Sequence, residues 1–331
     1  MKATTRFSAD VLRLDCAGET QRITDSVRAA LRTDLKRQGL IVAMSGGIDS
    51  SCVAALAVRA VGPQRVLGLL MPERHSSDDT LRLSRLVADH LGIETVHEDI
   101  SPILDAVGCY RRQADAIREV IGDFEPHWKF KIVLPSVTED DSLRIFSVVA
   151  QAPDGRQIKA RLTAKAYLAL VAATNFKQRI RKMFEYHHAD RLNYAVAGTP
   201  NRLEYDQGFF VKLGDGAADV KPIAHLYKSQ VYELARWLGV PDEVCRRPPT
   251  TDTYSMPQSQ EEFYFSLPYD KMDLCLYARN HDLPPEEVAP AVGLTPEQAQ
   301  RVYNDIDKKR MTTRYLHLRP VLVDPIPQIH V

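Results

Sequence analysis

The chain has 331 residues, and its 43 Lys and Arg against 43 Asp and Glu give a formal net charge of zero. This balance argues against an unselective nucleic-acid binder, which needs excess basic residues to neutralise phosphates. No apolar run approaches the roughly 18–20 residues of a membrane span, and the N-terminus lacks the apolar core of a secretion signal. We therefore expect a cytoplasmic globular protein with no membrane or nucleic-acid partner.

The first hundred residues alternate between helical and strand patterns. The predicted elements are a helix within 20–39, a strand at 40–44, a Gly-containing turn at 45–51, a helix at 52–60, a strand at 66–71, a helix at 81–91 and a strand at 93–96. The first two strands are short apolar runs, which is typical of strands buried on both faces. Alternation of this kind predicts an open parallel sheet wrapped by helices.

The alternation breaks at about 128–163, where strand-like runs and a Pro-Asp-Gly turn predict a small antiparallel β-hairpin insertion. A long helix at 164–192 and a strand at 194–197 follow, and Gly239 ends a helix at 228–238. Thr295, with Pro and Gln after it, predicts a helix start in a helical C-terminal tail at 270–331. We expect one α/β domain over 1–331, with a mostly parallel sheet and helices on both faces.

The five cysteines are scattered along the chain: Cys16, Cys52, Cys109, Cys245 and Cys275. They show neither a CxxC pair nor a Cys/His ligand spacing, so we expect neither a zinc site nor a disulfide framework. Buried thiols in a reducing cytoplasm account for them.

The strongest motif is Ser-Gly-Gly-Ile-Asp-Ser-Ser at 45–51, between a predicted buried strand and a helix. Gly46 and Gly47 let the backbone turn sharply and approach a ligand without Cβ atoms. Their N–H groups and the helix N-terminus form an anion-binding site, to which Ser45, Ser50 and Ser51 add hydroxyls. Asp49 would repel bare phosphate, so its presence implies a divalent cation. The essential Lys of GxxxxGK[ST] is missing.

This loop resembles the pyrophosphatase loop of ATP pyrophosphatases, which cleave ATP between the α- and β-phosphates and adenylate a substrate. The loop alone leaves NAD, GMP, asparagine and argininosuccinate synthetases and tRNA-thiolating enzymes open. The second half of the chain resembles ammonia-dependent NAD synthetase in three stretches: Asn175 to Arg181, Gly198 to Glu204 and Gly208 to Asp219. Further matches follow at Pro222-Ile223, Leu226 to Val231, Leu238 to Pro241 and Pro248 to Thr250. The resemblance implies an adenine-nucleotide α-hydrolase-like, Rossmann-like fold.

The resemblance also implies residue roles. ATP would be bound by Ser45, Gly46, Gly47, Asp49, Ser50, Ser51, Met71, Thr199, Lys228 and Thr250. Mg²⁺ would be held by Asp49 and Glu204, and the catalytic set would be Asp49, Glu204 and Lys228. The deamido-NAD substrate would be contacted by Arg179, Lys212, Asp215, Asp219, Lys308 and Lys309. The last two occupy the positions of a His-Lys pair in the family.

The implied reaction has two steps. A substrate carboxylate attacks the α-phosphorus of ATP and releases pyrophosphate, and ammonia then displaces AMP to form an amide. No enzyme nucleophile is required. We expect no glutamine-hydrolysing domain, which would need far more chain, so ammonia would be free or come from a separate amidase. The resemblance further implies a homodimer.

Substrate-side residues depart from the family pattern more than ATP-side residues do. The chain has Pro200-Asn201 where family members have Gly or Asp-His. In the family an acidic loop follows Pro-Thr, and the corresponding loop of this chain, at 251–264, keeps only part of that acidity. The acid is therefore deamido-NAD or, as the alternative, a different carboxylate amidated by a paralogous enzyme. A tRNA-modifying enzyme and a catalytically inactive nucleotide-binding protein are further alternatives. The hairpin lies just before the substrate-binding helix, so we expect it to affect substrate affinity more than ATP affinity.

Overall fold

A computed structural model describes residues 7–134, 146–249 and 253–328. Its centre is a parallel sheet of four strands: Leu40–Ala43 (β1), Val66–Leu70 (β2), Glu94–His97 (β3) and, later in the chain, Ala195–Ala197 (β7). Their order is β3-β2-β1-β7. The predicted parallel sheet is confirmed, with strand ends within about two residues of expectation.

The helices that flank this sheet include those predicted within 20–39 and at 52–60, 81–91, 164–192 and 228–238, together with others that the sequence did not predict. They are Cys16–Thr33 (α1), Ile48–Val61 (α2), Asp78–Leu91 (α3), Ser101–Ala106 (α4), Cys109–Arg118 (α5), Ala164–Leu192 (α6), Arg202–Gln207 (α7), Lys228–Trp237 (α8) and Asp242–Cys245 (α9). The long helix α6 begins and ends at the predicted residues. Its first turn is capped by Thr163, whose hydroxyl accepts from the N–H of Ala166 at 3.1 Å.

Strands β1, β2 and β7 are buried on both faces, whereas β3 at one edge is partly exposed. Neighbouring side chains of a strand point to opposite faces. Leu40 and Val42 of β1 pack in one core with α1, α2 and α8. Ile41 lies between them in sequence and packs on the other face with α4, α5 and α6. The expected arrangement of helices on both faces is therefore confirmed.

The parallel register brings the carboxyl ends of the strands to one edge. Central strand β1 pairs Val42 with Gly68 of β2 and with Ala197 of β7. The loop 45–51 leaves β1 at this edge, and the loop 198–201 leaves β7 beside it. In open α/β sheets, ligands bind in the crevice at this edge.

The insertion folds into a second, antiparallel sheet. Its strands are Lys129–Val133 (β4), Ser147–Gln151 (β5) and Gln157–Arg161 (β6), in the order β4-β5-β6. Its buried face forms a separate core with α5 and the start of α6. Residues 135–145 of the predicted insertion lie outside the described part, and the domain boundaries stay a prediction.

The C-terminal part is helical up to His317, with helices Tyr269–Asn280 (α10), Pro285–Val292 (α11) and Pro296–His317 (α12). Thr295 caps α12 as predicted, since its hydroxyl accepts from the N–H of Gln298 at 3.2 Å. Residues 318–328 contain no helix, and 329–331 lie outside the described part.

All five cysteines are buried and free of disulfides. Within the described ranges, no helix is both long and apolar enough to cross a membrane.

Candidate active site

A cavity of about 430 Å³ opens at the carboxyl edge of the parallel sheet. The loops after β1, β2 and β7 form its floor, and α6 and the first turn of α8 form its walls. Loops at this edge project away from the rigid sheet, so side chains from distant parts of the sequence meet there.

The loop at 45–51 turns at Gly46, whose φ is +67°. A Cβ at this position would lie 2.8 Å from the Leu83 Cβ and 2.9 Å from the Thr80 carbonyl oxygen. Gly46 is therefore required for two reasons: a left-handed backbone and the close approach of α3.

Hydrogen bonds within the loop hold the start of α2. The hydroxyls of Ser50 and Ser51 donate to the Gly47 carbonyl at 3.1 and 2.8 Å, and the Ser45 N–H donates to the Ser50 hydroxyl at 3.2 Å. The loop is thus ordered by its own contacts, with the N-terminus of α2 directed at the cavity.

Two charged residues from distant elements meet in the cavity. The Lys228 ammonium, with 2% of its side chain exposed, forms an ion pair with Asp49. Lys228 is the first residue of α8 and Asp49 lies in the first turn of α2. Burial by itself would lower the pKa of Lys228, but the charges of Asp49 and Glu204 outweigh burial and raise it. Lys228 therefore stays protonated.

Asn201 joins the two candidate metal ligands. Its side-chain amide donates to Asp49 Oδ1 at 2.9 Å, and its side-chain oxygen accepts from the N–H of Glu204 at 3.2 Å. Its own N–H donates to Glu204 Oε2 at 3.2 Å, which completes a capping box at the start of α7. Gln260 donates to the other oxygen of Glu204 at 3.0 Å. Burial, followed by the negative charge of Asp49, raises the pKa of Glu204 to about 8.

Helix α10 fixes the position of Lys228. The fully buried Asp273 accepts from the N–H groups of Lys228 and Ser229 at 3.2 and 2.7 Å. These are the first N–H groups of α8, which have no partner within the helix. The C-terminal helices thus support the ammonium that contacts Asp49.

The predicted ATP residues converge at this site. The cavity is lined by Ser45, Gly47, Asp49, Ser50, Met71, Thr199, Glu204 and Lys228. Gly46 and Ser51 lie behind the lining, where Gly46 contacts α3 and Ser51 bonds to the Gly47 carbonyl. Thr250 lies outside the described residues.

The predicted substrate residues divide into separate groups. Asp215 lines the cavity. Arg179 and Lys212 lie together outside it, since the Arg179 guanidinium donates to the Lys212 carbonyl at 3.3 Å. Exposed Asp219 accepts from the Val196 N–H at 2.7 Å.

The predicted Lys308–Lys309 pair is also divided. Lys309 is buried, and its ammonium contacts Asp305 and the Tyr264 carbonyl, each at 2.7 Å. Lys308 is exposed on α12. The substrate roles assigned to both lysines stay predictions.

Sequence reasoning missed a buried cluster beside the cavity. The Lys177 ammonium donates to Glu73 Oε1 at 2.8 Å and to the Thr253 carbonyl at 2.9 Å, and it lies 3.1 Å from His75 Nδ1. Tyr110 donates to the other Glu73 oxygen at 2.8 Å. The cluster connects α6, the loop after β2 and the segment that begins at Thr253.

The described residues contain no group of three or more His, Cys, Asp or Glu arranged to hold a metal. Asp49 and Glu204 are joined through Asn201, and Mg²⁺ readily completes its coordination with phosphate oxygens and water. Asp49 and Glu204 offer carboxylate oxygens, the hard donors that Mg²⁺ prefers, so this donor set fits Mg²⁺ bound together with a nucleotide.

The sheet, its Ser-Gly-Gly loop and the charged residues around it define the class of N-type ATP pyrophosphatases. The family model described as NAD synthase matches residues 19–123 and 145–315. The chain therefore belongs to the NAD synthase family, and it is a ligase.

Curated relatives agree with this assignment. The chain is similar to the NH₃-dependent NAD⁺ synthetase of Rhizobium meliloti, with 59% identity over 98% of the chain and 96% of the relative. Its identity to that of Mesorhizobium japonicum is also 59%, over 94% of the chain and 98% of the relative. The fold resembles the Campylobacter jejuni NH₃-dependent NAD synthetase, with a TM-score of 0.61, 22% identity, and 94% and 100% of the two chains covered.

Replacing Gly46 by Ala tests the close approach of the loop to α3. We expect Gly46→Ala to weaken nucleotide binding and to reduce stability by more than the about 1–2 kcal/mol of a left-handed residue alone. Gly92→Ala is the matched control, because Gly92 has a φ of +64° and no atom within 4 Å of a built Cβ. Urea unfolding and binding of α,β-methylene ATP measure both effects. Equal losses in the two variants would contradict a steric requirement at Gly46.

We predict that loss of the buried Lys177–Glu73 ion pair strongly lowers the free energy of unfolding. Lys177→Met leaves a buried carboxylate without its cation, which costs about 3–5 kcal/mol. Adding Glu73→Gln removes the unpaired charge and should restore part of the loss. Lys165→Met, which breaks an exposed pair on the same helix, should cost below about 1 kcal/mol. Urea unfolding checks this, and a double variant no more stable than Lys177→Met would contradict it.

The lowered pKa of His75, in the same cluster, predicts that the protein loses stability at acid pH. Burial, followed by the charge of Lys177, lowers the pKa of His75 to about 4 in the folded protein, against about 6.5 for an unperturbed histidine. The unfolded chain therefore binds the extra proton between pH 6.5 and 4, and stability falls as pH falls, by up to about 1.4 kcal/mol per unit. In His75→Gln this loss should disappear, whereas exposed His90→Gln should keep it. Parallel stability curves for wild type and His75→Gln would contradict the assignment.

Proposed function

We propose that the chain amidates deamido-NAD with ammonia and ATP to form NAD, AMP and pyrophosphate. The observation that carries this proposal is the Lys228–Asp49–Asn201–Glu204 network beside the Ser-Gly-Gly loop. Family membership and the names of the 59%-identical relatives support the same reaction.

The first step joins the substrate to AMP. An oxygen of the deamido-NAD carboxylate attacks the α-phosphorus of ATP, and the bond from this phosphorus to the pyrophosphate oxygen breaks. The loop N–H groups and the N-terminus of α2 bind the phosphates. Lys228 lies in a nearly water-free position and stabilises the negative charge that develops on pyrophosphate.

Asp49 and Glu204 would hold Mg²⁺, and the bound ion would add positive charge beside the phosphates. Asn201 keeps both carboxylates at the cavity, and Lys228 remains protonated beside Asp49. No side chain is needed as a covalent intermediate, because the mixed anhydride with AMP is itself the activated acyl group.

In the second step, ammonia displaces AMP from the acyl group. The lone pair of ammonia attacks the acyl carbon, the acyl–AMP bond breaks, and the nitrogen loses a proton to give the amide. Ammonia is free or is supplied by a separate amidase. We further propose that the active form is a homodimer in the cytoplasm.

Stoichiometry tests the reaction. With ATP, Mg²⁺, ammonium and deamido-NAD, we expect equal amounts of NAD, AMP and pyrophosphate. If no NAD forms but another pyridine carboxylate nucleotide drives release of AMP, the enzyme amidates a different acid.

Lys228 tests the assigned chemistry. We expect Lys228→Met to lower kcat by about two to three orders of magnitude, because a preorganised charge at the leaving group is lost. Lys165→Met changes an exposed lysine and should leave kcat unchanged. Steady-state release of pyrophosphate measures kcat, and circular dichroism verifies folding. A folded Lys228→Met enzyme with wild-type kcat would remove Lys228 from the mechanism.

A further inference from the structure

The inserted sheet contacts a segment that runs back to the active site. We call residues 253–262 the docking segment. The N–H of Phe130 in β4 donates to the Ser255 hydroxyl at 2.8 Å, and the Phe130 carbonyl accepts from the N–H of Met256 at 3.0 Å. These bonds use the edge of β4 that does not pair with β5. An edge strand needs such partners for its backbone groups.

Side chains extend this contact in both directions. Gln258 is buried, and its amide donates to the Ile132 carbonyl at 2.5 Å. Lys131 forms an ion pair with Glu262 at 2.6 Å. The docking segment is therefore attached to β4 at several successive residues and follows the strand closely.

Between these attachment points, the docking segment reaches Glu204. The amide of Gln260 donates to Glu204 Oε1 at 3.0 Å. The other oxygen, Oε2, accepts from the N–H of Asn201 at 3.2 Å. The two donors lie on different parts of the chain, so together they fix the rotation of the carboxylate. Without Gln260, Asn201 would be the remaining hydrogen-bond donor to this carboxylate among the described residues.

We propose that Gln260 is a positioning residue for Glu204 and that the inserted sheet holds Gln260 in place. This rests on the proposed function, in which Glu204 binds Mg²⁺. Groups that hydrogen-bond to metal ligands orient them, and their loss weakens metal binding about 10- to 100-fold. The NAD synthase model leaves residues 124–144 unmatched, and β4 lies in that stretch. Gln260 itself thus lies within the family match, whereas the strand that holds the docking segment lies outside it.

Through Gln260 and Glu204, the insertion contributes to metal binding. The sequence led us to expect an effect mainly on substrate affinity. Phe146, just before β5, stacks on Tyr167 at 4.5 Å and lines the cavity, and the effect on substrate affinity stays a prediction. The contacts of β4 add a separate path to Glu204.

The experiment uses the full chain with Mn²⁺ as the probe and α,β-methylene ATP as the nucleotide. Free Mn²⁺ is measured by electron paramagnetic resonance. Gln260→Leu should weaken Mn²⁺ binding by about tenfold, while the KM for deamido-NAD changes less than twofold. Gln300→Leu is the matched control, because Gln300 is an exposed glutamine bonded to Asn304. Unchanged Mn²⁺ affinity in Gln260→Leu would overturn the proposal.

The contribution of the insertion is tested by Gln258→Leu and, at the more exposed pair, by Lys131→Met. Each should weaken Mn²⁺ binding by about two- to fivefold. Combining either substitution with Gln260→Leu should weaken Mn²⁺ binding no further than Gln260→Leu alone, because all three act through Glu204. Additive losses, or a raised KM for deamido-NAD with unchanged Mn²⁺ affinity, would overturn the role of the insertion. Failure of the wild-type chain to bind Mn²⁺ would instead refute the metal site in the proposed function.

Discussion

The site depends on a lysine that is almost fully buried against a carboxylate. Lys228 has 2% of its side chain exposed, and removal of an ammonium from water is costly unless an anion lies beside it. Asp49 supplies that anion, and Asn201 and Glu204 extend the network. The sheet provides the common edge, and Asp273 fixes the first turn of α8. The result is a preorganised positive charge next to the Ser-Gly-Gly loop.

The sequence was sufficient for the parallel sheet, because strands β1, β2 and β7 are apolar runs and helical patterns alternate with the strands. The helix at 164–192 was predicted to the residue, since Thr163 caps its start and Asn193 adopts the left-handed conformation at its end. The insertion was predicted as a hairpin, and the structure has a three-stranded sheet in its described part. Alternating strands are short and weakly patterned, so their pairing is less visible in sequence.

The site was only partly predictable. The loop at 45–51 has a local signature, and Asp49, Glu204 and Lys228 followed from the family resemblance. The capping pattern from Asn201 to Glu204 was present in the sequence and could have identified Asn201 as a partner of Glu204. The Lys177–Glu73 pair and the Gln260–Glu204 contact join residues 104 and 56 positions apart. Such contacts depend on tertiary packing, and no local pattern encodes them.

Oxygen transfer tests most directly whether the acid is activated as an adenylate. Deamido-NAD labelled with ¹⁸O in its carboxylate is turned over with ATP and ammonium, and the products are analysed by mass spectrometry. Attack by the carboxylate on the α-phosphorus predicts one ¹⁸O atom in AMP for each NAD formed, with none in pyrophosphate. Unlabelled AMP formed together with NAD would contradict direct adenylation of the carboxylate.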